Sequence, residues 1–391
     1  MVWKRKFLSP KKHLILGDGI MRLIQIRILV IISVCLSSCF SLALAQSGGD
    51  LSVSGATITN DLAIMALDCT ANTNGGALTT DADGIVVCSD DNAAANSEMR
   101  TPISSIPFTI SESGSYYLTQ NLKMLSTYSD GIAVLADDVT IDMMGFTLEG
   151  ATNSKNGINL DTQNNVVIYN GTIINFPWAA IYQNSATPGN HAFVENVRVA
   201  ENGYTPVYPS AYPAIALSGS DNVVSAVYAV NNTADGIRVG PASVVKDSTS
   251  TNNGRDGIAL GSSSSALNNV VANNQRWGLV GGWGSAIIGN TVYSNNRNQT
   301  TAGGGLRVYR GSQVENNTVY NNYHHGLYVF QGTNVLRNNH VTNTRLVSGD
   351  YYCFYFGSSL NVAIGNTATG CSIEFGGAVP PAARFVDNFQ W

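Results

Sequence analysis

The sequence predicts an all-β chain wound as a single-stack parallel β-helix of about ten coils, and three observations predict it. Between Gly236 and Asn343 the text repeats every 21 residues, as in GIRVGPASVVKDSTSTNNGRD, GIALGSSSSALNNVVANNQRW and GLRVYRGSQVENNTVYNNYHH. Each unit holds three short apolar runs separated by Gly, Ser and Asn turns, which makes one coil of a stacked solenoid. Composition agrees: the chain is 44% apolar, only 12% charged, and carries 39 glycines. A 21-residue unit is too short for a four-stranded propeller blade and lacks the 3.6-residue pattern of helical repeats.

Within a unit the first strand is Gly-Ile/Leu-x-apolar, so that Ile237 and Val239, or Leu306 and Val308, share one face. A second apolar pair follows a turn (Val244 and Val245, Ile287 and Ile288, Val335 and Leu336), and Asn-x-Val opens the third strand. Asn269, Asn290, Asn317, Asn339 and Asn366 form one column, and Asn232, Asn253, Asn274, Asn295 and Asn322 a second, five residues later in the unit. Equal positions of stacked coils lie roughly 4.8 Å apart, so each amide reaches the next and satisfies a corner where a lone Asn is costly.

From the start of the chain, residues 28 to 45 form an apolar run behind Arg22 and Arg27 that ends in Ala43-Leu44-Ala45. This reads as a secretory signal with a small-x-small cleavage site, Met21 being the expected start. A competing reading takes Leu36-Ser37-Ser38-Cys39 as a lipobox with Cys39 lipidated; the run continues six residues past Cys39, which favours cleavage near Ala45. Either reading puts the chain outside the cytoplasm, at the cell surface, in the periplasm or secreted, with no membrane insertion of the mature chain. After Ala45 there are 14 Lys/Arg and 25 Asp/Glu, a net charge of 14 − 25 = −11, which argues against nucleic acid as a partner. A polyanionic ligand is disfavoured too, except where calcium or a local arginine cluster offsets that charge.

Residues 46 to 104 carry no coil pattern and read as a small disulfide-closed segment and linker. Cys69, Cys88, Cys353 and Cys371 are an even set in an exported chain, and local pairing (69 with 88, 353 with 371) is the simplest of three connectivities. Cys353 and Cys371, 18 residues apart, sit on adjacent coils at a spacing a disulfide tolerates. Asp81-Ala82-Asp83-Gly84 has the outline of a calcium loop without its later bidentate Glu, so a turn is expected there and no cofactor or metal is assigned.

From Ile106 the text runs IPFTISESGSYYLTQNL, then DGIAVLADDVTIDMMGFTLEG. These residues resemble the start of the solenoid in the pectin-lyase-like right-handed β-helix superfamily, and the resemblance spans about residues 105 to 375, with 376 to 391 as a capping tail. It implies a right-handed coil and an exported protein that acts on or binds polysaccharide. It does not carry over a known active site, because neither a Gly-His-Gly with Arg-x-Lys nor a Trp-Ile-Asp-His with Arg-x-Pro-x-x-Arg occurs. Coil starts fall near Gly131, Gly157, Ala180, Ala214, Gly236, Gly257, Gly278, Gly305, Gly326 and Cys353, and loops are expected to leave at 203–213, 297–304 and 345–352.

Candidate chemistry comes from the residue two after each coil-opening position, which points outward. That column reads Ala216, Arg238, Ala259, Val280, Arg307, Tyr328, Tyr355; two residues on, it reads Ser218, Gly240, Gly261, Gly282, Tyr309, Phe330, Gly357. Small residues give way to arginine and aromatic rings in the last coils, with Trp277, Trp283 and Arg310 near by. Rings at rung spacing suit sugar faces, and Arg suits carboxylates. Tyr309, Arg310, Phe330, Tyr355 and Trp283 are therefore the candidate substrate-binding residues. If the protein is a lyase or epimerase, Arg307 neutralises a uronate carboxylate while His324 and Tyr328 serve as base and acid. His325, before its coil's Gly, is expected to be a turn residue with positive φ, leaving His324 as the chemical candidate. Asp137 and Asp138 read as a turn. Glu195, Glu201 and Glu315 are the hydrolase alternative, with Glu195 too many coils from Glu315 to act with it. Polysaccharide binding without turnover is the preferred function; catalysis by lyase, epimerase or glycoside hydrolase chemistry, and a purely structural surface role, are the alternatives.

Overall fold

The computed structural model describes strands 77–80 and 86–89 by their backbone, and residues 99–391 except 126, 205–211, 300–301, 343, 346–350 and 391. The chain divides into two units, Met1–Ser97 and Glu98–Trp391. In the first, Ala77–Thr80 pairs antiparallel with Val86–Ser89, Leu78 opposite Cys88. The expected signal segment, the Cys69–Cys88 bridge and the Asp81–Gly84 turn lie outside the described residues.

The second unit is the solenoid. Its first sheet has twelve parallel strands, stacked in chain order from Phe108–Ile110 to Ile373–Gly377. Every expected coil start has its strand, and the two terminal strands add one coil at each end. The second and third strands of each coil form two further parallel ladders, which share the eight-residue strands Val167–Ile174 and Phe193–Ala200. Thr101–Ile103 pairs with Gly114–Leu118 at the N-terminal end. Two short strands of the C-terminal tail, Phe385–Val386 and Phe389–Gln390, pair onto Val362–Ile364 and Thr367–Thr369.

Short strands hold because each buries alternate residues in the lumen. Ile237 and Val239 are inside while Arg238 between them is exposed, and the same alternation recurs at Ile132–Val134 and Ile258–Leu260. The lumen is filled by stacked aliphatics that give way to rings near the C-terminal end, where Phe354 stacks on Phe375 at 5.0 Å and Phe375 meets Phe385 edge-on at 5.0 Å. Cys353 and Cys371 are bonded, their Cα atoms 5.6 Å apart, across the step between those last coils.

Both asparagine columns are continuous ladders. Nδ2 of Asn269 donates to Oδ1 of Asn290 at 3.0 Å, Asn290 to Asn317 at 3.0 Å, Asn317 to Asn339 at 2.9 Å and Asn339 to Asn366 at 2.9 Å. Asn388 extends that column by one rung, and Asn202 extends the second. Each Oδ1 also accepts the backbone N–H of the preceding ladder residue, as Asn290 does from Asn269. The residue just before a ladder position is left-handed: Asn268, Asn273, Asn316, Asn321 and Asn338 all have φ between 53° and 56°. The Asn-Asn pairs thus divide two tasks, the first turning the corner that Asn tolerates and the second satisfying it.

Candidate functional site

The outward column of the first sheet keeps its expected register: Ala216 pairs with Arg238, then Ala259, Val280, Arg307, Tyr328 and Tyr355 in succession. Over the last coils it becomes a ring cluster. Tyr328 stacks on Tyr355 with centroids 4.9 Å apart, and Phe330 packs edge-on to Tyr309 at 5.3 Å. The Arg307 guanidinium sits among four rings, 4.7 Å from Tyr309, 4.9 Å from Phe330 and 5.8 Å from both Trp277 and Tyr328. Its Nε is buried and has no hydrogen-bond partner, and among the described residues it joins no ion pair. A guanidinium held by ring faces alone keeps its donors for a ligand.

Trp277 is the floor of this cluster, 3% exposed. It shares a column with Gly304, His325 and Tyr352, and Gly304 is what lets its indole fold back. A Cβ at Gly304 would stand 2.7 Å from that ring and 2.5 Å from the His325 carbonyl.

The left-handed turn expected at His325 falls one residue earlier. His324 has φ of 73° and takes the left-handed turn, whereas His325 begins the strand His325–Val329 and is buried. The reason is that the strand starts one residue before Gly326, so the corner moves back to His324. The imidazoles lie 3.9 Å apart, and His325 is 4.8 Å from the Tyr328 ring. Burial, with His324 next to it, pushes His325 down to about 3, and burial lowers His324 as well. Both are therefore neutral at pH 7, and each has a buried Nδ1 without a partner. Burial, then the neighbouring Tyr355, raises Tyr328, which stays a protonated phenol.

The remaining candidates scatter. Trp283 is 62% exposed on the turn after its strand, and Arg310 is exposed on the turn after Tyr309. Asp137 and Asp138 are turn groups bonded to Asn164 and Asn165 one coil on. Glu315 is paired with Arg337, which lowers its pKa. Glu195 stands in the same column as Glu315 but five rungs away, about 24 Å.

A second line of residues was not legible from the strand pattern. At the corner before the first sheet, backbone bonds join Ser129 to Lys155 and Lys155 to Trp178, and further on Ala234 to Arg255 and Arg255 to Arg276. Next to it, Asp235 and Asp256 turn inward: Asp235 accepts the N–H of Asp256, and Asp256 that of Trp277. Their outer partners are Arg238, Arg255 and Arg276. The signal was the residue before each coil-opening Gly, whose acid lies beneath an arginine of the same or a neighbouring coil. Among the described residues, no group of three or more His, Cys, Asp or Glu is arranged to hold a metal ion, and no helix is long and apolar enough to cross a membrane.

The profile of the family described as "Right handed beta helix region" matches residues 109–276 and 277–379, and the chain belongs to that family. No curated protein matches the sequence. Among solved structures, a double variant of the periplasmic alginate epimerase AlgG is similar at 13% identity over 74% of this chain and 76% of its own, with a TM-score of 0.50. The A-module of the Azotobacter vinelandii mannuronan C-5 epimerase AlgE6 shares 14% identity over 71% of this chain and 91% of its own, with a TM-score of 0.44. A mannuronic acid specific polysaccharide family 6 lyase from human gut microbiota shares 11% over 70% and 67%, with a TM-score of 0.39. At these identities the likeness is one of fold.

Proposed function

We propose that this is an exported β-helix protein that binds an acidic polysaccharide on the ring cluster around Arg307. The observation that carries the reading is the Arg307 guanidinium, lodged among four rings and, among the described residues, joined to no acid. Ring faces take the apolar faces of sugars, and an unpaired guanidinium takes a carboxylate in bidentate fashion. The local charge supports an anion in spite of the acidic whole: from Gly257 to Arg345 the chain has six arginines and one acid, Glu315. The Cys353–Cys371 bridge supports export to an oxidising compartment.

Catalysis is the second reading, favoured by the convergence of two neutral imidazoles, a protonated phenol and a guanidinium. For a uronate, Arg307 neutralises the carboxylate and a histidine nitrogen removes the C5 proton; the Tyr328 hydroxyl then protonates the O4 leaving group as C4–O4 breaks and C4=C5 forms, or in epimerisation returns a proton to the opposite face of C5. The hydrolase alternative has less support, since Glu315 is committed to Arg337.

The test is titration of the purified protein with uronate polymers and with their carboxyl-reduced neutral counterparts, together with a turnover assay. Binding of the acidic form alone, abolished in Arg307→Ala/Tyr328→Ala, is the expected result. New unsaturated ends or C5 exchange, lost in the same variant, would establish the catalytic reading. Equal binding of the neutral polymer, or binding indifferent to the double substitution, would refute the assignment.

A further inference from the structure

A second cluster of the same construction lies on the same edge of the solenoid, several coils toward the N-terminus. Trp178 stacks on Tyr212 at 5.1 Å, Tyr128 meets Trp178 edge-on at 6.1 Å, and Tyr182, in the outward column, meets Tyr212 at 6.4 Å. The Lys155 ammonium lies 4.2 Å from the Tyr128 ring and 5.6 Å from that of Trp178. Among the described residues it joins no ion pair, and Tyr128 is 62% exposed. Among the described residues, a cation held by rings and joined to no acid therefore occurs twice on this edge.

The ground between the two clusters is cationic on its outer side. Asp235 and Asp256 are 0% and 2% exposed in their side chains, whereas Arg238, Arg255 and Arg276 are 46%, 41% and 40% exposed. Two buried carboxylates thus hold three guanidiniums toward solvent, and a passing ligand meets the positive layer. Six rungs separate the coil of Lys155 from that of Arg307, about 29 Å.

We propose that the Tyr128, Lys155, Trp178 and Tyr212 cluster is a second subsite for an acidic polysaccharide, and that one chain lies along the Arg238, Arg255 and Arg276 edge from it to Arg307. The span from end to end rests on the function proposed above; the second subsite stands on its own cluster. An occupant without charge leaves the arginine row unused, and a short one cannot touch both ends, so the ligand is a polymer bearing carboxylates or sulfates.

The experiment compares a uronate dimer with a uronate dodecamer, by calorimetry on the full protein and on three variants: Lys155→Glu, Lys155→Ala/Trp178→Ala and Arg307→Ala. Lys155→Glu changes an ammonium without removing a ring, and thermal melts check that each variant folds. The dodecamer is expected to lose about three- to tenfold in affinity in both Lys155 variants, with dimer binding unchanged. Arg307→Ala is expected to weaken both ligands. Unchanged dodecamer affinity in both Lys155 variants overturns the second subsite and leaves the Arg307 site standing. Loss in the Lys155 variants with no effect of Arg307→Ala keeps the subsite and refutes the Arg307 site. Failure of the unmodified protein to bind either ligand overturns both.

Discussion

The middle and the last coils of the first sheet share one lumen and one register, yet they treat arginine in opposite ways. In the middle, Arg238 and Arg276 lie over buried Asp235 and Asp256, whose inner oxygens tie down the backbone of the next coil. Near the C-terminal end Arg307 is boxed by rings and, among the described residues, joins no carboxylate. The first arrangement fastens coils together, and the hydrogen bond that Arg276 donates to Asp256 raises its pKa further. The second leaves donors unspent. The contrast teaches that one residue type on one column is structural or ligand-directed according to what lies beneath it, acid or aromatic.

Four tests sharpen this contrast. The largest effect is expected inside the wall: Asn290→Ala strips the backbone N–H and the Nδ2 of Asn269 of their shared acceptor, costing about 2 to 4 kcal/mol. A denaturant melt within 1 kcal/mol of the parent would show that the ladder is dispensable. Next is acidity at the ring cluster. The unfolded chain protonates His325 near the ordinary histidine value, and the folded chain only near 3. Between those values the unfolded state holds more protons, so stability falls as pH falls, by on the order of 2 to 3 kcal/mol from pH 7 to 4.5. His325→Phe should remove that part of the slope, and an identical pH profile of the melting temperature in the variant would contradict it.

Smaller again is the paired test of the two arginines. Arg276→Ala leaves Asp256 buried with less compensation and should cost about 1 to 3 kcal/mol, reduced from a fully buried pair because Arg276 is 40% exposed. Arg307→Ala should cost under about 1 kcal/mol, the worth of its ring contacts, while removing polysaccharide binding. Reversal of that order in chemical denaturation would break the comparison. Last, Gly304→Ala should cost about 1 to 2 kcal/mol by displacing the Trp277 indole, visible as a change in near-ultraviolet circular dichroism.

The sequence was most informative where physics repeats. A lumen position must be apolar in every coil and a corner amide must meet its copy, so the strands, both asparagine ladders and the 353–371 bridge could be read from spacing. Legibility fell off at single positions. The turn expected at His325 falls at His324 because a one-residue shift in strand start moves the corner, and the 21-residue pattern does not fix that shift. Trp277 as floor depended on the empty Gly304 one rung away, a pairing made only when the coils stack.

By itself, then, the chain determined the parallel coil, its register and its outward column, because stacking forces equal positions into contact; the right hand came from the resemblance to a known superfamily. Only the tertiary structure decided which arginines face acids and which face rings, and that Lys155, Trp178 and Tyr212, from three successive coils, form one cluster. The lysine and rings hold equal corner places two residues before their coil starts, yet the strand period does not say that corner side chains fold onto one another; side-chain reach and local corner geometry decide that.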